Sequence, residues 1–136
     1  MTVQNKTSIW DDGKNQLWIF PVEESSQYHY INGIPCISFD ISYENSHFKG
    51  FDRFTLFDKW YADFLNGLHD AVQFSDGYLR LNDVGADTDG YIDFAVSPRG
   101  VTVSGQLGAS YSDFCLNFSF QADQTMLQLL ESCLSV

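Results

Sequence analysis

Residues 91–107 read Tyr91-Ile92-Asp93-Phe94-Ala95-Val96-Ser97-Pro98-Arg99-Gly100-Val101-Thr102-Val103-Ser104-Gly105-Gln106-Leu107, and this stretch decides the fold. Ile92, Phe94 and Val96 alternate with Asp93 and Ala95; Val101, Val103 and Leu107 alternate with Thr102, Ser104 and Gln106. Such a period of two places apolar side chains on one face and small or polar ones on the other. Between the two halves, Ser97-Pro98-Arg99-Gly100 puts Pro second and Gly fourth, the chemistry of a type I turn. The stretch is therefore an antiparallel hairpin with one buried and one wet face.

Working outward, the same alternation recurs. In Cys36–Tyr43, Ile37, Phe39, Ile41 and Tyr43 face away from Ser38, Asp40 and Ser42. Leu17–Phe20 reads as a first strand ended by Pro21, with Trp18 assigned to the core. Residues 23–35 read as a loop with a turn signal at Asn32-Gly33. Phe48–Phe57 is a further strand with Gly50 as a bulge. Tyr78–Leu81 and Ser112–Phe120 complete the set, the latter with Phe114, Leu116, Phe118 and Phe120 facing inward.

Two segments change to helical spacing. Trp60, Phe64, Leu68 and Val72, joined by Tyr61 and Leu65, share one stripe, as do Met126, Leu127, Leu130, Cys133 and Leu134. Asp58 and Asp123 stand at the N-cap positions, where a carboxylate accepts orphan N–H groups and complements the helix dipole. The expected fold is a single α+β domain over residues 1–136 in two layers. It has a mainly antiparallel sheet of about seven strands and both helices on one face, in the order βββα-ββββα.

Charge narrows the partners. With 7 Lys and Arg against 18 Asp and Glu, the formal charge is −11. Nucleic-acid binding draws its affinity from clustered Lys and Arg, and these seven never cluster, so neither nucleic acid nor an anionic membrane is expected as a partner. A basic protein partner suits this charge, because opposite fields steer encounter. Acidity for solubility alone is the plainer explanation. Hydrophobic residues at 44% exclude disorder, and no apolar run is long enough to span a bilayer. The first residues lack a secretory pattern, and the three Cys are too scattered for a disulfide framework or a metal pair, so a cytoplasmic location is expected.

Chemistry is sparse. His29, His47 and His69 each lack a second ligand at metal spacing, and Cys36, Cys115 and Cys133 read as small hydrophobes. No phosphate loop, dinucleotide fingerprint or nucleophile elbow is present. Asp87-Thr88-Asp89-Gly90 resembles part of a calcium loop, but the full pattern needs Asp at 85 and Glu at 96, where Gly85 and Val96 stand. No catalytic residue, cofactor or metal is expected.

From Cys36 to the end, the sequence resembles the WapI-like immunity proteins, which protect bacteria from their own contact-delivered toxins. The resemblance rests on the Cys36–Tyr43 strand, Phe48-x-Gly50, and the Asp-led helix with Phe64, Leu65 and Leu68. It continues through Gly90-Tyr91-Ile92, Val101–Gly105 and Phe114–Phe120, and ends on Asp123-Gln124-Thr125 leading to Leu127 and Leu130. It implies stoichiometric binding of a cognate toxin and carries no catalytic residues. The expected contact residues are Asp83, Asp87 and Asp89 on an acidic loop, with Tyr28 and Tyr30 as aromatic anchors. A solvated hairpin loop is the plainer assignment for the three aspartates. A small acidic secretion chaperone is the alternative function, a hydrolytic or transfer enzyme the third.

Overall fold

Alternation along the strands and helical stripes at 58 and 125 produce an α+β chain. A computed structural model describes residues 8–22, 29–85 and 88–134, with only the backbone of His29. The elements are β1 (Trp10–Asp11), β2 (Asn15–Pro21), β3 (His29–Ile31), β4 (Ile34–Asn45), β5 (Lys49–Phe57) and α1 (Asp58–Phe74). There follow β6 (Gly77–Asn82), β7 (Tyr91–Ser97), β8 (Gly100–Leu107), β9 (Leu116–Ala122) and α2 (Thr125–Leu134). Every strand pairing is antiparallel.

The strands form two sheets rather than the single one expected: five strands, β1 to β5, and then a four-strand meander, β6-β7-β8-β9. Phe39 pairs with Pro21 and Phe54, so β2 and β5 flank β4 on opposite edges. Cys36 pairs with His29 and Phe57, which puts β3 on the β2 side. The first sheet stops at β5 because a loop, not a strand, closes its outer edge. Thr55 donates its N–H to Asp83 Oδ1 at 3.1 Å and accepts the Val84 N–H at 2.9 Å. β6 is thereby kept out of register with β5, and a second sheet begins.

Both sheets turn their apolar residues toward one core shared with the helices. Phe39, Ile41, Phe54, Leu68, Ile92, Phe94, Val103, Met126 and Leu130 are fully buried there. α1 packs on β4, β5 and β6, and α2 on β2 and α1, so both helices occupy the apolar side. Aromatic contacts join the layers: Phe39 meets Tyr61 at 5.0 Å, Phe64 meets Phe94 at 6.3 Å, and Tyr43 stacks on Phe118 at 4.2 Å.

Local expectations divide. The hairpin of β7 and β8 pairs Ser97 with Gly100 across Pro98-Arg99, as the sequence indicates. Asp123 does cap α2, accepting the Thr125 N–H at 2.9 Å. Asp58 does not cap α1. The N-cap is Phe57, without a side-chain cap bond, and Asp58 is the first helical residue, where its charge still complements the dipole. Residues 23–35 are not all loop, because β3 and β4 form a hairpin about Asn32-Gly33. Both turn residues have positive φ (52° and 81°), the geometry that Asn-Gly tolerates.

Gly50 is not a bulge. It opposes Tyr43 in unbroken register, and a Cβ there would lie 2.5 Å from Leu116 Cδ2, so it permits close approach of the second sheet. The last strand starts at Leu116 rather than at Ser112. Ser112 turns the chain, its hydroxyl donating to the Phe114 carbonyl and accepting the Phe114 N–H, and Phe114 is 88% exposed. Trp60 lies at the exposed margin of its stripe and meets Phe57 edge-on at 5.1 Å.

Removing buried volume from α1 tests this placement. Leu68→Ala is expected to cost about 2–5 kcal/mol, whereas the exposed Asn66→Ala stays within about 0.5 kcal/mol. Urea unfolding of the two variants measures both; equal losses would mean that the helix faces the core by a different stripe.

Candidate functional site

Pleating places Gln16, Trp18 and Phe20 of β2, Asp40, Ser42 and Glu44 of β4, and Lys49, Phe51 and Arg53 of β5 on the outer face of the first sheet. Their register gives three cross-strand rows: Gln16–Glu44–Lys49, Trp18–Ser42–Phe51 and Phe20–Asp40–Arg53. Trp18 thus belongs to the solvent side and not to the core, because its neighbours Leu17 and Ile19 take the inward positions. Small Ser42 in the middle strand leaves a trough walled by Trp18 and Phe20 on one side and Phe51 on the other. The cleft measures about 400 Å³.

One pair of charges in the trough is satisfied internally. Arg53 grips Asp40 with two hydrogen bonds, Nε to Oδ1 at 2.7 Å and Nη2 to Oδ2 at 3.2 Å. Glu44 and Lys49 face each other in register at the cleft's end. Phe51 is 63% exposed and Phe48, at the adjoining turn, 62%. Aromatic area left in water on a sheet face is a feature of binding surfaces.

Two of the three aspartates singled out in the sequence, Asp83 and Asp89, have structural partners. Asp83 Oδ1 accepts the N–H groups of Thr55 and, at 3.0 Å, Gly85. Asp89 accepts from Gln106 Nε2 and the Ser110 N–H, both at 2.8 Å, and from the Ser110 hydroxyl at 2.5 Å. Asp83 and Asp89 are thus held by hydrogen bonds to neutral groups of the fold, so neither reads as a merely solvated loop residue. Their carboxylates tie the loop to β5 and to the β8–β9 connection. Asp87 and Tyr28 lie outside the described residues. Tyr30 is exposed in β3, so it and Asp83 lie at opposite edges of the strands β3-β4-β5. Among the described candidates, Tyr30 and Asp83 therefore do not share one patch. The sequence also gave no reason to single out Phe51, since only the register sets it beside Ser42 and Trp18.

Other chemistry-bearing residues are dispersed. His47 sits exposed in the β4–β5 turn, and His69 Nδ1 approaches Glu131 Oε2 at 3.4 Å between α1 and α2. Cys36 is buried, and burial pushes the half-buried Cys133 thiol above its ordinary value. Among the described residues, no group of three His, Cys, Asp or Glu converges as a metal cluster. No helix among them is long and apolar enough to cross a membrane. Compared with known proteins, the chain matches no family model and no curated protein.

Two outcomes test the structural role of the aspartates. Asp83→Ala strands the Thr55 N–H and is expected to cost about 1–3 kcal/mol in chemical unfolding, with Asp83→Asn recovering part of it through its carbonyl oxygen. The Ser110 hydroxyl, followed by its amide, holds the Asp89 carboxyl below its ordinary value of 3.8. A depressed carboxyl stabilises the fold above its unfolded pKa and loses that contribution as pH falls through the lower folded value. Thermal midpoints from pH 5 downward should therefore fall less steeply for Asp89→Asn than for the wild type below about pH 4. Parallel curves would refute the assignment.

Proposed function

We propose that the chain is an immunity protein that neutralises a cognate bacterial toxin domain by stoichiometric, charge-assisted binding in the cytoplasm. The observation that carries this reading is the aromatic trough of Trp18, Phe20 and Phe51, open on one sheet face of a chain with net charge −11. Aromatic side chains at the centre of an interface supply most of its affinity, and long-range charge supplies the rate of encounter. The resemblance of residues 36–136 to WapI-like immunity proteins supports the same conclusion from a separate direction. A toxin domain that acts on nucleic acid carries a basic surface, and an acidic ligand competes for it.

The trough gives the binding a division of labour. Trp18 and Phe51 stand in one cross-strand row with only Ser42 between them, so a partner side chain can enter between two rings. Strand spacing puts those two backbones about 9.5 Å apart, wide enough for one flat group. An arginine or an aliphatic stem fits such a slot, with Glu44 at its end for the charge.

The test is co-expression with the toxin domain encoded beside this chain's gene. Protection of growth by the wild type, and a one-to-one complex of the purified proteins, are expected. Trp18→Ala and Phe51→Ala should each weaken the complex by about 2 kcal/mol, roughly thirtyfold in Kd, while the exposed Phe51 costs little stability. The association rate should fall as salt rises past physiological strength, where the field reaches only about 8 Å. Toxicity undiminished by the wild type would overturn the reading, and an obligate homodimer holding an unfolded toxin segment would favour the chaperone.

A further inference from the structure

We infer that the free edge of β9 is a strand-addition site for an extended segment with an uncharged centre and a basic residue at each end. The inference rests on the reading of the chain as a binder of a basic partner. It adds a second contact made through backbone rather than through the aromatic trough.

The hydrogen-bonding phase of the second sheet follows from its hairpin. Ser97 and Gly100 close a two-residue loop, so they form a hydrogen-bonded pair, and the phase alternates from there. Along β8 the even-numbered residues bond to β7, which leaves Val101, Val103, Gly105 and Leu107 to bond to β9. Their partners are Ala122, Phe120, Phe118 and Leu116. Asn117, Ser119 and Gln121 consequently turn both N–H and C=O away from the sheet. All three are exposed, and no backbone hydrogen bond among the described residues takes up these groups.

The other edges differ: β5 is occupied at Thr55 by Asp83 and Val84, β1 and β3 are short, and β6 carries Arg80. Lys, Pro, bulges or inward charges usually blunt an exposed edge. β9, Leu116–Ala122, contains none of these. Unpaired backbone on an uncharged strand is what an added strand needs.

Charge selects the occupant. Asp123 directly follows β9 and Asp113 lies in the turn three residues before it, and both are exposed. A second copy paired antiparallel about Ser119 would set Asp123 of each chain opposite Cys115 of the other, next to Asp113. Like charges in such positions destabilise a strand pair, and each copy already carries −11. A segment with Lys or Arg at both ends meets the opposite situation, with each basic end facing one aspartate. Phe114, 88% exposed beside Asp113, extends the contact with apolar area.

The experiment uses a synthetic peptide of alternating threonine and valine, as long as β9, with lysine at each end, and a counterpart with glutamate at each end. Amide hydrogen exchange of the whole chain should show protection at Asn117, Ser119 and Gln121 with the lysine peptide. The glutamate peptide should bind at least about tenfold more weakly, and about 1 M salt should remove the difference. Ser119→Pro deletes an outward N–H and leaves the β8 ladder intact, so it should fold and lose the protection. Should that variant misfold, Asp113→Lys on the wild-type strand still reads the charge preference. Protection that ignores peptide charge, protection elsewhere, or a wild-type homodimer dissolved by Ser119→Pro would overturn the inference. Neutralisation of the toxin that persists in a folded Ser119→Pro variant overturns this edge alone, whereas failure of the wild type overturns the function proposed above.

Discussion

Thr55 presents its N–H and C=O on the outer edge of β5, and how those two groups are satisfied determines the rest of the architecture. Had β6 paired there, one long sheet would have resulted, with its apolar residues on a single surface. The Asp83 carboxylate and the Val84 amide occupy the edge instead. The chain then starts a new meander, and the two apolar faces can close on a shared core. Other cross-links cooperate: Gly108 donates to Asp52 Oδ2 at 2.8 Å, and a Cβ at Gly90 would lie within 2.9 Å of the Phe54 ring. The acidic residues of these connections are thus part of the framework.

The ends of the elements are joined by a similar economy of polar groups. Ser75, with φ 55°, closes α1, and its hydroxyl donates to Gln124 Oε1 at 2.7 Å. Gln124 Nε2 in turn donates to the Ser97 carbonyl at 2.8 Å. One side chain therefore connects the end of α1, the start of α2 and the β7–β8 turn. The Asp123-Gln124-Thr125 run is thus structural: Asp123 caps α2 and Gln124 makes the links to α1 and to the β7–β8 turn. At the other end of the helix pair, the Tyr61 hydroxyl donates to the Leu134 carbonyl at 2.7 Å, and burial raises the pKa of that phenol.

What remains free for function lies on the outer faces. The second sheet's outer face neutralises itself: Arg80 bonds Asp93 through Nη2 at 2.7 Å and lies 4.4 Å above the Tyr91 ring. The first sheet's outer face instead keeps Phe51 in water beside Ser42, with Trp18 and Phe20 half-buried across from it. Surface rings, and an edge strand left unpaired among the described residues, are the features on which the proposed association rests. In the binding proposed above, the charge of −11 serves the encounter at a distance, and the trough and the edge serve the contact.

Local chemistry was sufficient for the strands with strict alternation, for both helices and for the hairpin at Pro98-Arg99, because each depends on neighbours in sequence. Asn32-Gly33 carried its own hairpin signal, yet the polar residues before it made the segment read as a loop. Phe114 shows the limit of periodicity: its spacing from Leu116 and Phe118 matches a strand, but Ser112 spends the local hydrogen bonds on a turn. The side of the sheet that Trp18 occupies, and the work of Asp83 and Asp89, depend on partners far along the chain. Alternation separates two faces without saying which one another layer will cover, and a carboxylate in sequence does not reveal which distant N–H group it meets. Residue order determined the elements and their apolar faces. Only the packed structure decided the division into two sheets, the closed edge at β5 and the open one at β9, because those depend on which backbone groups find partners once the core has formed.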